Sequence, residues 1–160
     1  MPKITVLGDV GAIWLLAGLL LSISKKYRKY GLALIIGLAL SFLVSNVCLK
    51  PIIARPRPCW TEDANLLINN PSDYSFPSGH TLASVIGAFV ITAANRKFCF
   101  FAIPIAVLIS FSRLYLYVHF PSDVLASIII GKGISIFAIV TSKQVTNVFD
   151  DIKSRKLNRL

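Results

Sequence analysis

Five long apolar runs occupy most of this chain of 160 residues and limit what it can fold into. They cover residues 4–24, 31–49, 80–94, 98–117 and 121–141. A helix that crosses a bilayer needs about 20 mostly apolar residues, and each run approaches that length. Hydrophobic residues make up 55% of the chain and charged residues only 15%, which leaves little for a soluble core. The sequence therefore predicts an all-α, polytopic transmembrane helical bundle, with residues 1–160 as one domain.

The first apolar run is expected to be a retained span and not a removable signal peptide. It contains Asp9, only Lys3 supplies a basic residue ahead of it, and a second run follows after a short basic loop. The three cysteines are an odd number at unrelated spacings, so they predict neither a disulfide framework nor a zinc site. A bridge between Cys48 and Cys59 stays open.

The net charge of +10 is compatible with nucleic acid or anionic lipid as a partner, but its distribution indicates membrane topology instead. If every run spans, the basic segments after runs one, three and five share one side, which the positive-inside rule makes cytoplasmic. We therefore expect no nucleic-acid partner, and a basic cytoplasmic tail over residues 142–160 that also contacts lipid headgroups. The basic residues concerned are Lys25, Lys26, Arg28, Lys29, Arg96, Lys97, Lys143, Lys153, Arg155, Lys156 and Arg159.

The same alternation places the other polar segments on the opposite, extracytoplasmic face. These are the loop of residues 50–79 and the short link of residues 112–121. They contain the stretches KPIIARPRP, FPSGH and SRLYLYVHFPSD. The sequence thus predicts that three polar clusters, separated in the chain by membrane crossings, meet at one outer surface.

The first cluster holds Lys50, Arg55 and Arg57 among three prolines, on the side where basic residues are disfavoured. Prolines favour extended backbone in the residues before them, which would turn Arg55 and Arg57 the same way. Such a stretch suits a phosphate, because Arg offers a planar fork and Lys a point charge. The alternative, cations that snorkel at the end of the second run, stays open for this cluster taken alone.

The second and third clusters each place a histidine at a predicted helix start. Ser78 can cap a helix, Gly79 permits close backbone approach, and the free N–H groups of such a start bind anions. His80 then lies beside the anion, in a helix that is short for a full span and so begins in a recess. These features also suit a capping serine and an interfacial histidine without any ligand.

The third cluster holds Ser112, Arg113, His119 and Asp123. Pro121 suits the first turn of a helix, which puts Asp123 in that turn and His119 just before it. A carboxylate that accepts the Nδ1 proton of His119 would leave Nε2 free as a base or nucleophile. A helix cap beside an interfacial histidine is the alternative for this pair alone. Both histidines of the chain fall on the outer face beside basic residues, which favours a site.

The three stretches together resemble the three-part signature of the type 2 phosphatidic acid phosphatase (PAP2) superfamily, which also includes vanadium haloperoxidases. The resemblance extends from residue 50 to about residue 133 and covers most of the chain. KPIIARPRP fits Lys-x6-Arg-Pro, PSGH is intact at residues 77–80, and SRLYLYVHFPSD fits Ser-Arg-x5-His-x3-Asp. Each motif alone is a weak signal, but three in order at matching spacing are specific.

The resemblance implies a role for each matched position. His119 would attack phosphorus and form a phosphohistidine, Asp123 would orient its ring, and His80 would act as general acid and then as base. The phosphoryl oxygens would be held by Lys50, Arg57, Arg113, Ser78 and the Gly79 amide. Arg55 lies outside the motif and is an accessory contact at most. The family's phosphatases use no metal or cofactor, and none is expected here.

Two features depart from the family pattern. Its membrane members usually have six spans, and the sequence here predicts five, so either the first is naturally absent or the start is truncated. Lys132 lies within the fifth run, about 13 Å along a helix from Asp123. It would snorkel or approach Ser127 or Ser135, and it has no assigned role.

The resemblance implies a lipid phosphatase of the cell membrane whose substrate keeps its tails in the bilayer. Undecaprenyl diphosphate is the favoured substrate, and phosphatidylglycerophosphate or phosphatidic acid is the alternative. Two other classes stay open. A haloperoxidase would use the same residues to hold vanadate, but those relatives are large and soluble. A non-catalytic lipid-phosphate binding or transport protein would not need His80, His119 and Asp123 together.

Overall fold

A computed structural model describes residues 11–61, 68 and 70–157, with side chains described as far as residue 149. Within this part of the chain the regular structure is entirely helical. The elements are α1 (Ala12–Ile23), α2 (Arg28–Phe42), a π-helix (Leu43–Leu49), α3 (Lys50–Ile53), α4 (Pro58–Thr61), α5 (Gly79–Ala94), a 3₁₀ turn (Arg96–Phe98), α6 (Cys99–Tyr115) and α7 (Pro121–Leu157). The all-α prediction is confirmed, and each predicted run contains a helix, although residues 4–10 of the first run lie outside the described residues.

Three of the helical stretches are long and apolar enough to cross a membrane, namely Arg28–Thr61, Arg96–Tyr115 and Pro121–Phe149. The helices Ala12–Ile23 and Gly79–Ala94 are apolar but shorter. At 1.5 Å per residue, the 16 residues of α5 span about 24 Å, less than the ~30 Å hydrocarbon core. That length fits the prediction that α5 begins in a recess.

α5 is the central helix of the bundle, because it packs against α2, α6 and α7. A small residue lets α1 close over it: a Cβ on Gly87 would lie 2.2 Å from Trp14 Cε3, so the indole covers the α5 backbone directly. The indole Nε1 donates to Ser84 Oγ at 3.2 Å, which satisfies the polar atom of this buried ring. Trp14 therefore fixes α1 on α5 through both shape and a hydrogen bond.

The lipid-facing side of the bundle is apolar. Phe100, Phe101 and Ile129 are largely exposed, as are many other large hydrophobic side chains of α1, α2, α6 and α7. Contiguous apolar surface of this kind marks a membrane or protein contact in a folded protein. Lys132 is also exposed, whereas Ser127 and Ser135 are fully buried and donate to carbonyl oxygens of their own helix.

Two helical stretches continue past the predicted ends of their runs, and the structure answers the question that the sequence left open about the cysteines. α7 continues to Leu157 instead of ending near residue 141, because residues 142–157 contain no glycine or proline to stop a helix after the apolar run ends. The second run continues through the π-helix into α3, which begins at Lys50. The Lys50 N–H bonds to Ser45 O, five residues back. The bridge between Cys48 and Cys59 is not formed, since all three cysteines are free and Cys59 is buried.

Candidate active site

The predicted polar clusters meet at one end of the bundle, where the loop after α3, the start of α5 and the start of α7 come together. Arg57 contacts His119, 62 residues away, and Arg55 contacts Asp123. Ser75, three residues before Ser78, also contacts Asp123 and so brings the approach to α5 to the same place. The first and third clusters are therefore in direct contact. Ser75 places the segment that leads into the second cluster beside them.

The arginines reach this site because the backbone changes direction after α3. Ala54 adopts a left-handed conformation with φ of 46°, which ends the helix and starts a short non-helical segment. The Arg57 and Arg55 side chains then point toward the same pair: Arg57 Nη1 lies 3.2 Å from His119 Nε2, and Arg55 Nη1 lies 2.6 Å from Asp123 Oδ1. Pro51 differs from expectation, since it lies in the first turn of α3, where proline is tolerated.

His119 is buried, and its hydrogen-bond partners assign the tautomer. Arg57 can only donate, so Nε2 accepts and the ring proton is on Nδ1. Nδ1 faces Ser75 Oγ at 3.5 Å and Asp123 Oδ2 at 3.7 Å. Burial lowers the pKa of His119 to about 4; the Asp123 carboxylate opposes this, and the charges of Arg57 and Arg113 add to it. The imidazole is therefore neutral near pH 7 and carries its lone pair on Nε2.

Asp123 is fully buried at the start of α7, and both of its oxygens are engaged. Oδ1 accepts from Arg55, whereas Oδ2 accepts from the Ser75 hydroxyl and from the Phe120 N–H at 2.9 Å. The predicted direct hydrogen bond from His119 Nδ1 is longer than hydrogen-bond range at 3.7 Å. The reason is that Ser75 and Phe120 already hold the oxygen nearest the ring. Arg55, expected to be accessory, is an ion-pair partner of Asp123 and lies over the Phe120 ring at 4.0 Å.

Sequence reasoning missed Asp73, which pairs with two of the predicted phosphate ligands. Lys50 Nζ donates to Asp73 Oδ2, and Arg57 Nη2 donates to Oδ1 at 2.6 Å. Burial by itself raises the pKa of Asp73, but the hydrogen bond from Lys50 and the charge of Arg57 outweigh it and lower the pKa to about 2. The carboxylate is thus ionised and forms ion pairs with both cations. The only sequence signal was an acidic residue in the same outer loop as Lys50 and Arg57.

The PSGH stretch forms the start of α5, as predicted, but its serine does not cap the helix. Ser78 occupies the N-cap position without a side-chain capping bond, and its buried hydroxyl accepts from Thr81 Oγ1 at 3.1 Å. A Cβ on Gly79 would come no closer than 3.7 Å to Ser45 Oγ, so packing alone does not require glycine there. Roles for Ser78, Gly79 and His80 with a phosphoryl group stay predictions.

Arg113 and Ser112 lie near the end of α6, and both are buried. The charge of Arg113 helps to lower the pKa of His119, as that of Arg57 does. Ser112 instead donates to Ile109 O at 2.6 Å within its own helix. Among the described residues, no group of three or more His, Cys, Asp or Glu side chains is placed to hold a metal ion. The donors that converge here are cations, which suit an anion.

Comparison with known proteins identifies the family. The family model described as the PAP2 superfamily matches residues 26–147, which is most of the chain. The chain belongs to the PAP2 superfamily. An undecaprenyl-diphosphatase of Sulfolobus acidocaldarius is 36% identical over 129 residues, 79% of this chain and 62% of that protein. The undecaprenyl-diphosphatase BcrC of Bacillus subtilis is 32% identical over 121 residues, 75% of this chain and 58% of that protein. The chain thus spans about three fifths of the length of these relatives.

Two solved structures share the fold. The transmembrane PAP2-type phosphatidylglycerolphosphate phosphatase of Bacillus subtilis superposes with a TM-score of 0.70 at 27% identity, covering 91% of this chain and 76% of that chain. Aquifex aeolicus LpxE superposes with a TM-score of 0.60 at 28% identity, covering 84% and 86%. Together with the apolar helices, these similarities make this PAP2 protein a multi-pass membrane protein.

Proposed function

We propose that this PAP2 protein is a membrane phosphatase that hydrolyses a lipid diphosphate through a phosphohistidine intermediate. The observation that carries the proposal is the state of His119. Its ring is neutral, its Nε2 lone pair faces the guanidinium of Arg57, and the Asp123 carboxylate lies behind its Nδ1 proton. A nucleophile of this kind beside a cationic phosphate site is the arrangement that phosphoryl transfer through histidine requires.

In the first step, Nε2 of His119 attacks phosphorus and the bond from phosphorus to the leaving oxygen breaks. Arg57 then donates to a phosphoryl oxygen instead of to Nε2, while Arg113 and Lys50 offset the negative charge. Asp123 stabilises the positive charge that develops on the ring. His80 gives its proton to the leaving oxygen and then takes one from the water that hydrolyses the phosphohistidine. The products are the lipid with one phosphate fewer and inorganic phosphate.

Undecaprenyl diphosphate is the substrate we favour. Two relatives with that activity in their names are 36% and 32% identical to this chain over three quarters of its length or more. The second candidate is phosphatidylglycerophosphate, because the solved structure with a TM-score of 0.70 is a phosphatase for that lipid. In either case the tails would stay against the exposed apolar surface while the headgroup enters the recess at the start of α5.

We also propose that the site opens on the extracytoplasmic face of the cell membrane. The support is the charge distribution, since the loops at the other end of the bundle carry Lys25, Lys26, Arg28 and Lys29, and the link at Arg96. The cations at the site end are matched by carboxylates: Lys50 and Arg57 by Asp73, and Arg55 by Asp123. That end therefore carries less net positive charge than its count of basic residues suggests.

The test is phosphate release from purified protein with undecaprenyl diphosphate, phosphatidylglycerophosphate and phosphatidic acid, in EDTA. We expect the protein to turn over the diphosphate fastest, and His119→Ala to lose activity by a factor on the order of 10⁴ or more. Ser127→Ala is the matched control, since it removes a buried hydroxyl that donates to the Asp123 backbone carbonyl. Full activity in His119→Ala would refute the nucleophile, and a protein inactive on all three lipids would favour a binding protein.

A further inference from the structure

The carboxylate of Asp73 occupies the position between Lys50 and Arg57 that a phosphate would need. One oxygen takes the Lys50 ammonium and the other takes a guanidinium N–H of Arg57. Two oxygens of one anion, each on a different cation, reproduce the way a phosphoryl group binds such a pair. Asp73 therefore supplies to Lys50 and Arg57 the two oxygens that a bound phosphoryl group would supply.

The remaining donors of Arg57 are almost all committed. Its Nε donates to Asp73 O at 2.7 Å, and Nη1 donates to Val118 O at 2.8 Å and to His119 Nε2. A guanidinium has five N–H donors, so with the bond to the Asp73 carboxylate four of them are used. Both N–H groups of Arg57 Nη2 become available to a phosphoryl group only when the Asp73 carboxylate gives up its place.

Asp73 is the member of the trio that can leave. Its side chain is 49% exposed, whereas those of Lys50 and Arg57 are 10% and 3% exposed. The backbone next to it has its own anchors, since Asp73 O accepts from Arg57 Nε and Ser75 N donates to Arg55 O at 2.9 Å. The carboxylate can therefore rotate into water while the loop and both cations stay in position.

We propose that Asp73 is a specificity-determining internal anion, which keeps singly charged phosphodiester headgroups out of the site and yields to a phosphate of higher charge. This inference rests on the proposed function. A phosphodiester such as phosphatidylglycerol brings one negative charge and would only replace the charge that Asp73 already supplies. A phosphomonoester carries about −1.5 to −2 near pH 7, and a terminal diphosphate is also multiply charged, so these gain more from the cations than Asp73 does.

An internal anion such as Asp73 is useful because the surrounding membrane contains many anionic lipids that would compete for the site. A bare pair of buried cations open to the membrane would be occupied by whichever anionic lipid is most abundant, and phosphodiesters compete by concentration. Partly exposed ion pairs are each worth up to about a fivefold factor in an equilibrium constant. Two such pairs at Asp73 therefore raise the threshold for an incoming anion by up to about 25-fold.

The test compares Asp73→Asn with the protein in phosphatidylcholine vesicles that contain a rising fraction of phosphatidylglycerol. Initial rates with a lipid diphosphate give KM and kcat at each composition. In phosphatidylcholine alone we expect KM to be lower in Asp73→Asn by about tenfold, because the cations are unoccupied. Phosphatidylglycerol is expected to raise the apparent KM of Asp73→Asn strongly and that of the unchanged protein little. Ser72→Ala, an exposed change in the same loop, is the control and should match the unchanged protein.

The two roles open to Asp73 move KM in opposite directions. If Asp73 only positions the cations, Asp73→Asn raises KM in phosphatidylcholine alone, and that result overturns the proposal. Equal inhibition of both proteins by phosphatidylglycerol overturns it as well. In either case turnover by the unchanged protein and its loss in His119→Ala would leave the proposed function intact, so the two failures are distinguishable.

A second measurement needs no variant and covers the case in which Asp73→Asn does not fold. Inorganic phosphate and dimethyl phosphate are titrated as competitive inhibitors of the unchanged protein. We expect inhibition by inorganic phosphate at concentrations at least about tenfold below those at which dimethyl phosphate acts. Equal potency of the two anions would contradict selection by charge.

Discussion

Ser75 gives the most direct test of how the site works, because motif matching did not select it and the structure places it on the Asp123 carboxylate. Its hydroxyl donates to Asp123 Oδ2 and lies 3.5 Å from His119 Nδ1, with both partners buried. Ser75→Ala removes one of two donors to that oxygen and leaves the Phe120 N–H in place. The substitution removes no apolar group, so we expect folding to be retained.

The size of the effect depends on the charge on Asp123. A hydrogen bond to a charged group is worth about 1.5–3 kcal/mol, and each 1.36 kcal/mol corresponds to a factor of ten in rate. Asp123 is needed most when His119 becomes positively charged during attack on phosphorus. We therefore expect Ser75→Ala to lower kcat by about 10- to 100-fold. KM should change little, since among the described residues no hydrogen bond joins Ser75 to Lys50 or to a side-chain donor of Arg57.

The assay is steady-state phosphate release with a lipid diphosphate in detergent micelles, with the thermal unfolding midpoint measured on the same samples. Ser127→Ala is the matched control, since it deletes a buried hydroxyl that donates to Asp123 O at 2.7 Å and leaves the carboxylate bonds unchanged. A kcat for Ser75→Ala within threefold of the unchanged protein would refute the argument that Ser75 supports the charge on Asp123.

Two further predictions concern the protonation of His119 and the side of the membrane on which the site opens. The chain has two histidines, so His80→Gln leaves a single imidazole, and its nitrogen-15 resonances should show His119 neutral above pH 5 with a midpoint near 4. Because folding lowers the pKa of His119, the unfolded chain takes up this proton at a higher pH than the folded chain does. The free energy of unfolding should therefore fall as the pH drops from about 6.5 toward 4. A titration midpoint of His119 near 6.5 would contradict the burial argument. Tyr74→Cys, at an exposed loop position in a protein whose three native cysteines are replaced, should react with a membrane-impermeant thiol reagent outside intact cells. Labelling only after lysis would put the site on the cytoplasmic face.

The helices could be predicted from the sequence because lipid leaves few alternatives. A long apolar run at membrane depth must satisfy its own backbone, so hydropathy alone located α2, α5, α6 and α7. Hydropathy reports where the membrane ends and not where the helix ends. For that reason α7 extends to Leu157, past the predicted end of its span.

The site could be predicted as far as its residues lie at fixed spacings. The i, i+4 relation of His119 and Asp123 and the spacing of Lys50 and Arg57 are local, so they can be recognised in the sequence. Asp73 and Ser75 could not be found in this way, because no fixed sequence spacing relates them to the residues they contact. Asp73 bonds to Arg57, 16 residues earlier, and Ser75 bonds to Asp123, 48 residues later. Only the packed chain brings such pairs together.

The π-helix before Lys50 makes the site depend on a count of residues. The Lys50 N–H bonds to Ser45 O, five residues back and not four, and a π-helix with such bonds holds more residues per turn than an α-helix. If the segment rewound as α-helix with no residue lost, its extra residue would turn the start of α3 by about 100°. Lys50 would then point away from Asp73, toward lipid. Evolution can therefore exchange one apolar side chain for another in this stretch, but a change that removes the π turn and keeps every residue would misdirect the cation.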